Sequence, residues 1–135
     1  MTPIAVQRAE SAALAVALLA ATVVIYPEHW WMPLALFLAF DLTALGYLAS
    51  PRVGAAVYNL GHSYLIPAIA GACAVIVPVD ARDSLTWWTG IIALSWAFHV
   101  AVDRALGYGL KFPDAFTHTH LGWIGKVRAR DAADA

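Results

Sequence analysis

Four long apolar stretches constrain this chain more than any other feature of its sequence. About 20 predominantly apolar residues cross a bilayer as a helix, and residues 8–26, 30–49, 53–79 and 85–106 each supply such a stretch. Of the 135 residues, 61% are hydrophobic and 13% are charged, whereas a soluble domain is nearer half apolar and a quarter charged. The sequence therefore predicts an all-α, integral membrane four-helix bundle, with residues 1–135 forming a single membrane domain.

Short polar or helix-breaking segments separate the four stretches. Pro27-Glu28-His29, Ser50-Pro51-Arg52 and the run PVDARDS at 78–84 predict turns, and Gly107 ends the last stretch. Pro67 is expected to kink the third span. The first span is expected to be retained and not cleaved as a signal peptide, because its apolar run continues unbroken through residue 25.

The basic residues predict the orientation of the bundle. Four spans place both termini on one side, and seven of the eight basic residues fall on that side. These are Arg8, Arg52, Arg104, Lys111, Lys126, Arg128 and Arg130, with Arg82 alone on the other side. By the positive-inside rule both termini are cytoplasmic.

Composition also excludes some classes of function. The formal net charge is −1, and no helix-turn-helix, zinc-finger or RNA-binding aromatic motif is present, so nucleic acid is not an expected partner. The single cysteine, Cys73, has no partner for an internal disulfide and is read as a small residue within an apolar run.

Ionisable residues inside the predicted spans are the feature that most indicates a functional site. His99 and Asp103 are four residues apart on the fourth span and therefore share one helix face. A carboxylate and an imidazole in hydrocarbon cost several kcal/mol unless they are paired, hydrated or metal-bound. Asp41 lies midway along the second span, and Asn59 and His62 lie within the third.

These residues are predicted to share one depth in the cytoplasmic half of the membrane. Counting from the nearest cytoplasmic turn places Asp41 at roughly 13 Å, His62 at roughly 15 Å and His99 at roughly 12–15 Å along their helices. Histidine and carboxylate groups at one level of a bundle suit a divalent transition metal, namely zinc, iron or manganese. The predicted ligands are His62, His99, Asp103, Asp41 and, from the tail, His120.

A metal with an open position would favour hydrolysis of a lipid or other hydrophobic small molecule. Asp41 or Asp103 would be the catalytic base. The residues predicted to line the pocket are Tyr58, Asn59, Ser63, Trp96 and His118. Arg104 and Lys111 are predicted to contact lipid phosphate.

Three alternatives remain open on the sequence alone. The same His/Asp network without metal could act as a proton relay or a proton-coupled carrier, which would require a homo-oligomer in so short a chain. His62 and His99 could instead be the axial ligands of a haem. A scaffold subunit would present a face of small residues such as Ala68, Gly71 and Ala72 to its partner.

The C-terminal tail, residues 110–130, mixes aromatic and aliphatic residues with basic ones. Such an amphipathic segment is predicted to lie on the cytoplasmic membrane surface, where it could cap the mouth of the bundle.

Three sequence runs carry a resemblance to a known family. YNLGHSYLIP (58–67), HVAVDRALGYGLKFPDAF (99–116) and THLG (119–122) resemble small bacterial four-helix membrane proteins known as domain of unknown function 4260. The resemblance covers roughly residues 8–127 and implies the same four spans in a bacterial inner membrane. It implies no activity. It places five ionisable residues within the family's motifs, namely His62, His99, Asp103, Asp114 and His120.

Overall fold

The computed structural model describes residues 1–77 and 83–125. Four helical segments in it are long and apolar enough to cross a membrane, so the predicted four-span architecture is confirmed. The α-helices are α1 (Pro3–Ile25), α2 (Met32–Ala35), α3 (Pro51–Gly61), α4 (Leu65–Ile76) and α5 (Ser84–Leu106). A short 3-10 turn, Pro27–His29, precedes α2, and a longer 3-10 helix, Phe37–Leu48, follows it.

The fourth span, α5, is the central element of the bundle. Both α1 and α4 pack against it, as do α2 and the long 3-10 helix, while α3 packs mainly on the 3-10 helix. Ile91, Ser95, His99 and Val100 of α5 are fully buried. The helix that carries two of the predicted ligands is therefore surrounded by the other spans.

The second span is not a regular α-helix. A 3-10 helix has three residues per turn, so side chains three apart form straight rows along it. The exposed row is Leu42, Leu45 and Leu48. The row that faces the bundle includes Phe37, Phe40 and Thr43. The sequence FLAFDLTALGYL repeats with this period of three, and one outward apolar row suits a lipid-facing surface.

The third span is interrupted before Pro67, so the predicted kink is a break in the helix. α3 ends at Gly61 with His62 as its C-cap, and α4 begins at Leu65. Proline has no N–H to donate to the carbonyl of Ser63, and its ring would clash with that carbonyl in a continuous helix. His62 therefore lies at the break, in the interior of the bundle, with its N–H bonded to the carbonyl of Tyr58.

The tail turns back onto the bundle as a hairpin. Gly107 has φ +100 and ends α5, a left-handed conformation that glycine adopts without strain. Strands β1 (His118–Thr119) and β2 (Gly122–Trp123) pair antiparallel. The amide of Asn59 holds the tail to α3 by accepting from the backbone N–H of Lys111 at 2.6 Å and donating to its carbonyl at 2.9 Å. Residues 126–130 of the predicted surface segment lie outside the described residues.

The described basic residues of the predicted cytoplasmic side mark one end of the bundle, called here the basic end. They are Arg8, Arg52, Arg104 and Lys111. The start of α1 meets the end of α5 there, because the Arg8 Nε donates to the carbonyl of Ala105 at 2.9 Å. The other four basic residues, Arg82, Lys126, Arg128 and Arg130, fall outside the described ranges.

Candidate metal centre

Four of the five predicted ligands come together from three structural elements. Asp41 projects from the long 3-10 helix, His62 from the break between α3 and α4, and His99 and Asp103 from one face of α5. One ligand atom from each lies within 4.8 Å of the other three. Apart from Asp41, these residues are buried.

Five of the six distances among the four atoms lie between 3.0 and 3.9 Å, and the sixth is within 4.8 Å. The Nε2 of His62 lies 3.0 Å from the Nε2 of His99, 3.4 Å from the Asp41 Oδ1 and 3.5 Å from the Asp103 Oδ2. The Nε2 of His99 lies 3.7 Å and 3.9 Å from the same two oxygens. Ligands about 2.0–2.2 Å from a tetrahedral ion lie roughly 3.3–3.6 Å from one another. Small side-chain movements would therefore bring all four atoms into bonding distance of one ion.

The hydrogen bonds of His62 orient its Nε2 as a ligand. Its Nδ1 lies 3.1 Å from the carbonyl of Tyr58 and 3.3 Å from the Oγ1 of Thr43. A carbonyl oxygen only accepts, so Nδ1 carries the proton, and Nε2 of a neutral ring presents its lone pair to the cluster. Metal-ligating histidines typically donate their second ring N–H in this way. Without a cation, this lone pair would face the carboxylates of Asp41 and Asp103 unfavourably.

Aromatic rings hold His99 in place. Its imidazole meets Phe37 edge-on, with ring centroids 4.7 Å apart, and lies 5.5 Å from the ring of Phe40. Its Nδ1 is buried and makes no hydrogen bond to any described residue. The orientation of His99 therefore depends on packing, whereas that of His62 depends on hydrogen bonds.

Tyr58 connects two of the ligands. Its ring stacks on the imidazole of His62, with centroids 3.6 Å apart and planes 11° apart. Its hydroxyl donates to the Oδ2 of Asp103 at 3.1 Å. The side chain of Asp103 is 12% exposed and that of Asp41 is 43% exposed. The cluster is thus closed on the Tyr58 side and open on the Asp41 side.

Charge makes the cluster costly without a cation. If both carboxylates are ionised and both imidazoles are neutral, the four side chains carry a charge of −2, of which the buried ammonium of Lys111 compensates only part, in a place where three of the four side chains are almost fully buried. Buried ions of like charge are strongly unfavourable in a low dielectric. A divalent cation would neutralise this charge.

The arrangement disfavours haem. Two axial imidazoles on one iron need about 2 Å each, and hence roughly 4 Å between their nitrogens. The Nε2 atoms of His62 and His99 are 3.0 Å apart. A porphyrin ring would have to pass between two side chains that are in direct contact.

The other residues predicted to line the pocket make supporting contacts. The indole of Trp96 stacks on Phe40, and its Nε1 donates to the carbonyl of Gly61, so it holds the break in the third span against α5. Ser63 donates to the carbonyl of Leu60 at 3.3 Å. Asn59 anchors the tail, as described above.

The two tail histidines lie outside the four-residue group. The Nδ1 of His120 accepts from the backbone N–H of Leu110 at 2.8 Å, so that nitrogen is already occupied. His118 stacks on Trp123 and pairs with Asp114 at 2.7 Å. Both histidines stabilise the hairpin in this conformation.

Lys111, which the sequence predicts to contact lipid phosphate, is buried against aromatic rings in the structure. It is 3% exposed, and its ammonium lies 4.2 Å from the ring centre of Phe116 and 4.8 Å from that of Tyr58. Burial lowers the pKa of Lys111 from 10.5 to about 8, although the carboxylates of Asp103 and Asp41 oppose the shift. Cation–π contacts compensate part of the lost hydration.

The lowered pKa predicts how stability depends on pH. Between pH 8 and 10.5 the unfolded chain holds the Lys111 proton and the folded chain does not, so the free energy of unfolding rises with pH. Lys111→Met removes this dependence. The stability of wild type relative to this variant should therefore increase by roughly 2–3 kcal/mol from pH 7 to pH 10.

Denaturant unfolding in detergent with chelator, at both pH values, measures this change. Arg52→Met, at an exposed position of the same end, is the matched control and should show no such trend. A pH-independent difference between wild type and Lys111→Met would contradict the buried ammonium.

Comparison with known proteins identifies the family. A family model described as Domain of unknown function (DUF4260) matches residues 4–124. The chain belongs to the DUF4260 family. No curated protein and no solved structure matches it.

Three residues that support this cluster are not predicted by the sequence analysis. Thr43, Phe37 and Phe40 support the two histidines, yet none is ionisable, and all three lie in an apolar span. The row of side chains three apart along residues 37–43 was the available signal. It becomes visible only if a 3-10 period is tested beside the α-helical one.

Proposed function

We propose that this protein binds one divalent transition metal ion, zinc, iron or manganese, through Asp41, His62, His99 and Asp103. The observation that carries the proposal is the convergence of four ligand atoms from three elements within 4.8 Å. Two imidazoles and two carboxylates are a donor set common to all three metals. The proton on the Nδ1 of His62 and the net charge of the cluster support the same conclusion.

We further propose that the site hydrolyses a lipid or other hydrophobic small molecule. A bound metal would lower the pKa of a water molecule towards neutrality. We assign the base to Asp41 because it is the more exposed carboxylate: while one of its oxygens binds the metal, the other would accept the proton when water attacks the scissile bond and pass it to the leaving group. Asp103, held by Tyr58, would remain a ligand throughout.

The proposed orientation of the protein in the membrane rests on its basic residues. The basic end would face the cytoplasm of a bacterial inner membrane by the positive-inside rule. The four spans form the contact with lipid, and a hydrophobic substrate would reach the centre from the membrane or from the basic end.

Metal content tests the proposal directly. The protein is purified in detergent without chelator and analysed for zinc, iron and manganese. Wild type should contain about one equivalent, and His99→Ala should lose nearly all of it because one of four ligands is removed. His118→Ala, a histidine of the hairpin, is the matched control and should keep its metal.

Activity is then compared on long-chain ester and phospholipid substrates. Asp41→Asn weakens one of the four ligands, so it is assayed with added metal, and under that condition it should show no turnover. Hydrolysis that persists in Asp41→Asn would reject this residue as the base. A folded wild type without metal would reject the metal centre.

One observation favours a second candidate, a proton relay or proton-coupled carrier. The Nε2 atoms of His62 and His99 are within hydrogen-bond distance, with Asp41 and Asp103 on either side. Such chains carry protons in membrane proteins. Proton uptake by metal-free vesicles that is lost in both His62→Ala and His99→Ala would support this candidate instead.

A further inference from the structure

The described part of the tail, residues 107–125, packs against two elements of the bundle. The ring of Phe116 meets Tyr47 of the long 3-10 helix edge-on, with ring centroids 5.1 Å apart. The same ring meets Tyr58 of α3, with centroids 6.2 Å apart. The ammonium of Lys111 lies 4.2 Å from the ring centre of Phe116 and 4.8 Å from that of Tyr58. The tail therefore contacts both the 3-10 helix and α3.

Different hydrogen bonds dock the tail and hold its hairpin together. The side-chain amide of Asn59 bonds both backbone groups of Lys111, accepting from its N–H at 2.6 Å and donating to its carbonyl at 2.9 Å. Within the tail, the N–H of Phe112 donates to the carbonyl of His118 at 2.9 Å. The N–H of Lys111 therefore reports docking of the tail on α3, whereas the N–H of Phe112 reports the hairpin itself.

Tyr58 is shared by the tail and the candidate metal centre. It is 3% exposed. Its ring stacks on the imidazole of His62, with centroids 3.6 Å apart, and its hydroxyl donates to the Oδ2 of Asp103 at 3.1 Å. The same ring contacts Lys111 and Phe116 of the tail. One buried side chain thus contacts two of the four candidate ligands and two residues of the tail.

These shared contacts link the two regions energetically. Close-packed side chains transmit displacements to their neighbours, so the tail restricts the ring of Tyr58 while it is docked. When the tail leaves, the ring gains conformational freedom, and its hydrogen bond to Asp103 competes with water. In the other direction, an ion that fixes His62 and Asp103 also fixes Tyr58 in the position to which the tail docks. Such a linkage is reciprocal by thermodynamic necessity.

We propose that Tyr58 is a positioning residue that couples the tail to the metal centre, so that a docked tail strengthens metal binding and bound metal strengthens docking. The inference rests on the proposed metal site and adds a means of regulating it. Any interaction that lifts the tail from α3 would lower the affinity for the ion. A tail with a purely structural role would instead be docked equally well with and without metal.

Hydrogen–deuterium exchange at single amides of the full chain in detergent tests the coupling. Exchange is compared between zinc-loaded protein and protein with chelator. Removal of zinc should speed exchange of the Lys111 N–H at least about fivefold, the low end of usual coupling between sites. The N–H of Val6, bonded to the carbonyl of Thr2 at the same end of the bundle, is the control and should exchange equally in both.

Two variants test the route through Tyr58. Tyr58→Leu keeps a buried apolar side chain but removes the stack and the hydroxyl, so saturating zinc should no longer slow exchange of the Lys111 N–H. Phe116→Ala changes the tail and none of the four candidate ligands. Its zinc affinity, measured by competition with a chromophoric chelator, should fall about fivefold.

Phe112→Ala is the matched control for Phe116→Ala. The two phenylalanines are similarly exposed, at 44% and 46%. Phe112 lies against His118 of the hairpin, with ring centroids 4.5 Å apart, whereas Phe116 meets Tyr58. Phe112→Ala should therefore keep the zinc affinity of wild type.

The possible failures can be told apart. Zinc-bound wild type whose Lys111 N–H exchanges as fast as in chelator would overturn this inference and leave the metal centre standing. Unchanged zinc affinity in Phe116→Ala, or zinc that still slows exchange in Tyr58→Leu, would reject the route through Tyr58. Wild type that binds no metal would overturn the proposed function and this inference together.

Discussion

Removal of the metal by a chelator is expected to lower the free energy of unfolding of the wild-type protein by about 4 kcal/mol when the free metal had been at a thousand times its dissociation constant. The expected loss is large because the ligands are held close together by the fold. Separate elements supply Asp41, His62 and the His99–Asp103 pair, so a bound ion would bridge three parts of the chain. Denaturant unfolding in detergent, with and without chelator, measures the loss.

Asp103→Asn is expected to change stability in opposite directions with and without metal. Asparagine keeps the shape and can still accept from the hydroxyl of Tyr58, but it removes the negative charge of the buried one of the two carboxylates. With metal present, the variant should be less stable than wild type because it binds the ion weakly. With chelator present it should be more stable, because a single carboxylate remains in the cluster.

Asp114→Asn is the matched control for this experiment. Asp114 is an exposed carboxylate that pairs with His118 in the tail. Its replacement should leave the effect of the chelator unchanged. If Asp103→Asn were less stable than wild type under both conditions, the carboxylate would stabilise the fold without a metal.

The convergence of the four ligands could be predicted because helix geometry converts residue counts into depth. His62 and His99 each lie a known number of residues from a turn, and each residue of an α-helix rises 1.5 Å. The i, i+4 spacing of His99 and Asp103 was sufficient to predict that the two residues share one helix face. These inferences use local geometry only, and the structure agrees with them.

The supporting residues could not be predicted in the same way. The role of Thr43 depends on the 3-10 geometry of the second span and on its rotation about its own axis. His62 lies at a break between α3 and α4, whereas the sequence predicted a kink at Pro67. Both depend on packing between spans, which cannot be predicted from the periodicity of a single span.

The positions of Lys111 and His120 depend on long-range pairing. Asn59 pairs with the backbone of Lys111 across 52 residues of sequence. This contact folds the tail inward and buries the lysine beside Tyr58. A basic residue just past a membrane span is normally predicted to face headgroups, and nothing local to Lys111 indicates otherwise.

The substitution Gly61→Ala is expected to weaken metal binding about 10- to 100-fold, the usual effect of disturbing a ligand's support. A Cβ at position 61 would lie 2.5 Å from the Cγ2 of Thr43 and 2.9 Å from its Oγ1. Because the neighbouring atoms belong to a short branched side chain, the 3-10 helix must move away from α3. Thr43 then leaves the Nδ1 of His62, and Asp41, two residues earlier, moves with it.

Gly71→Ala provides the matched control. The added Cβ would meet the nearest atom, the Cβ of Ala93, at 3.8 Å, which is an ordinary van der Waals contact. Metal affinity, measured by competition with a chromophoric chelator, should therefore be unchanged in Gly71→Ala and reduced in Gly61→Ala. Equal affinities in the two variants would show that close contact between α3 and the 3-10 helix does not position the ligands. A loss in Gly61→Ala alone would show that this glycine sets the distance between Asp41 and His62.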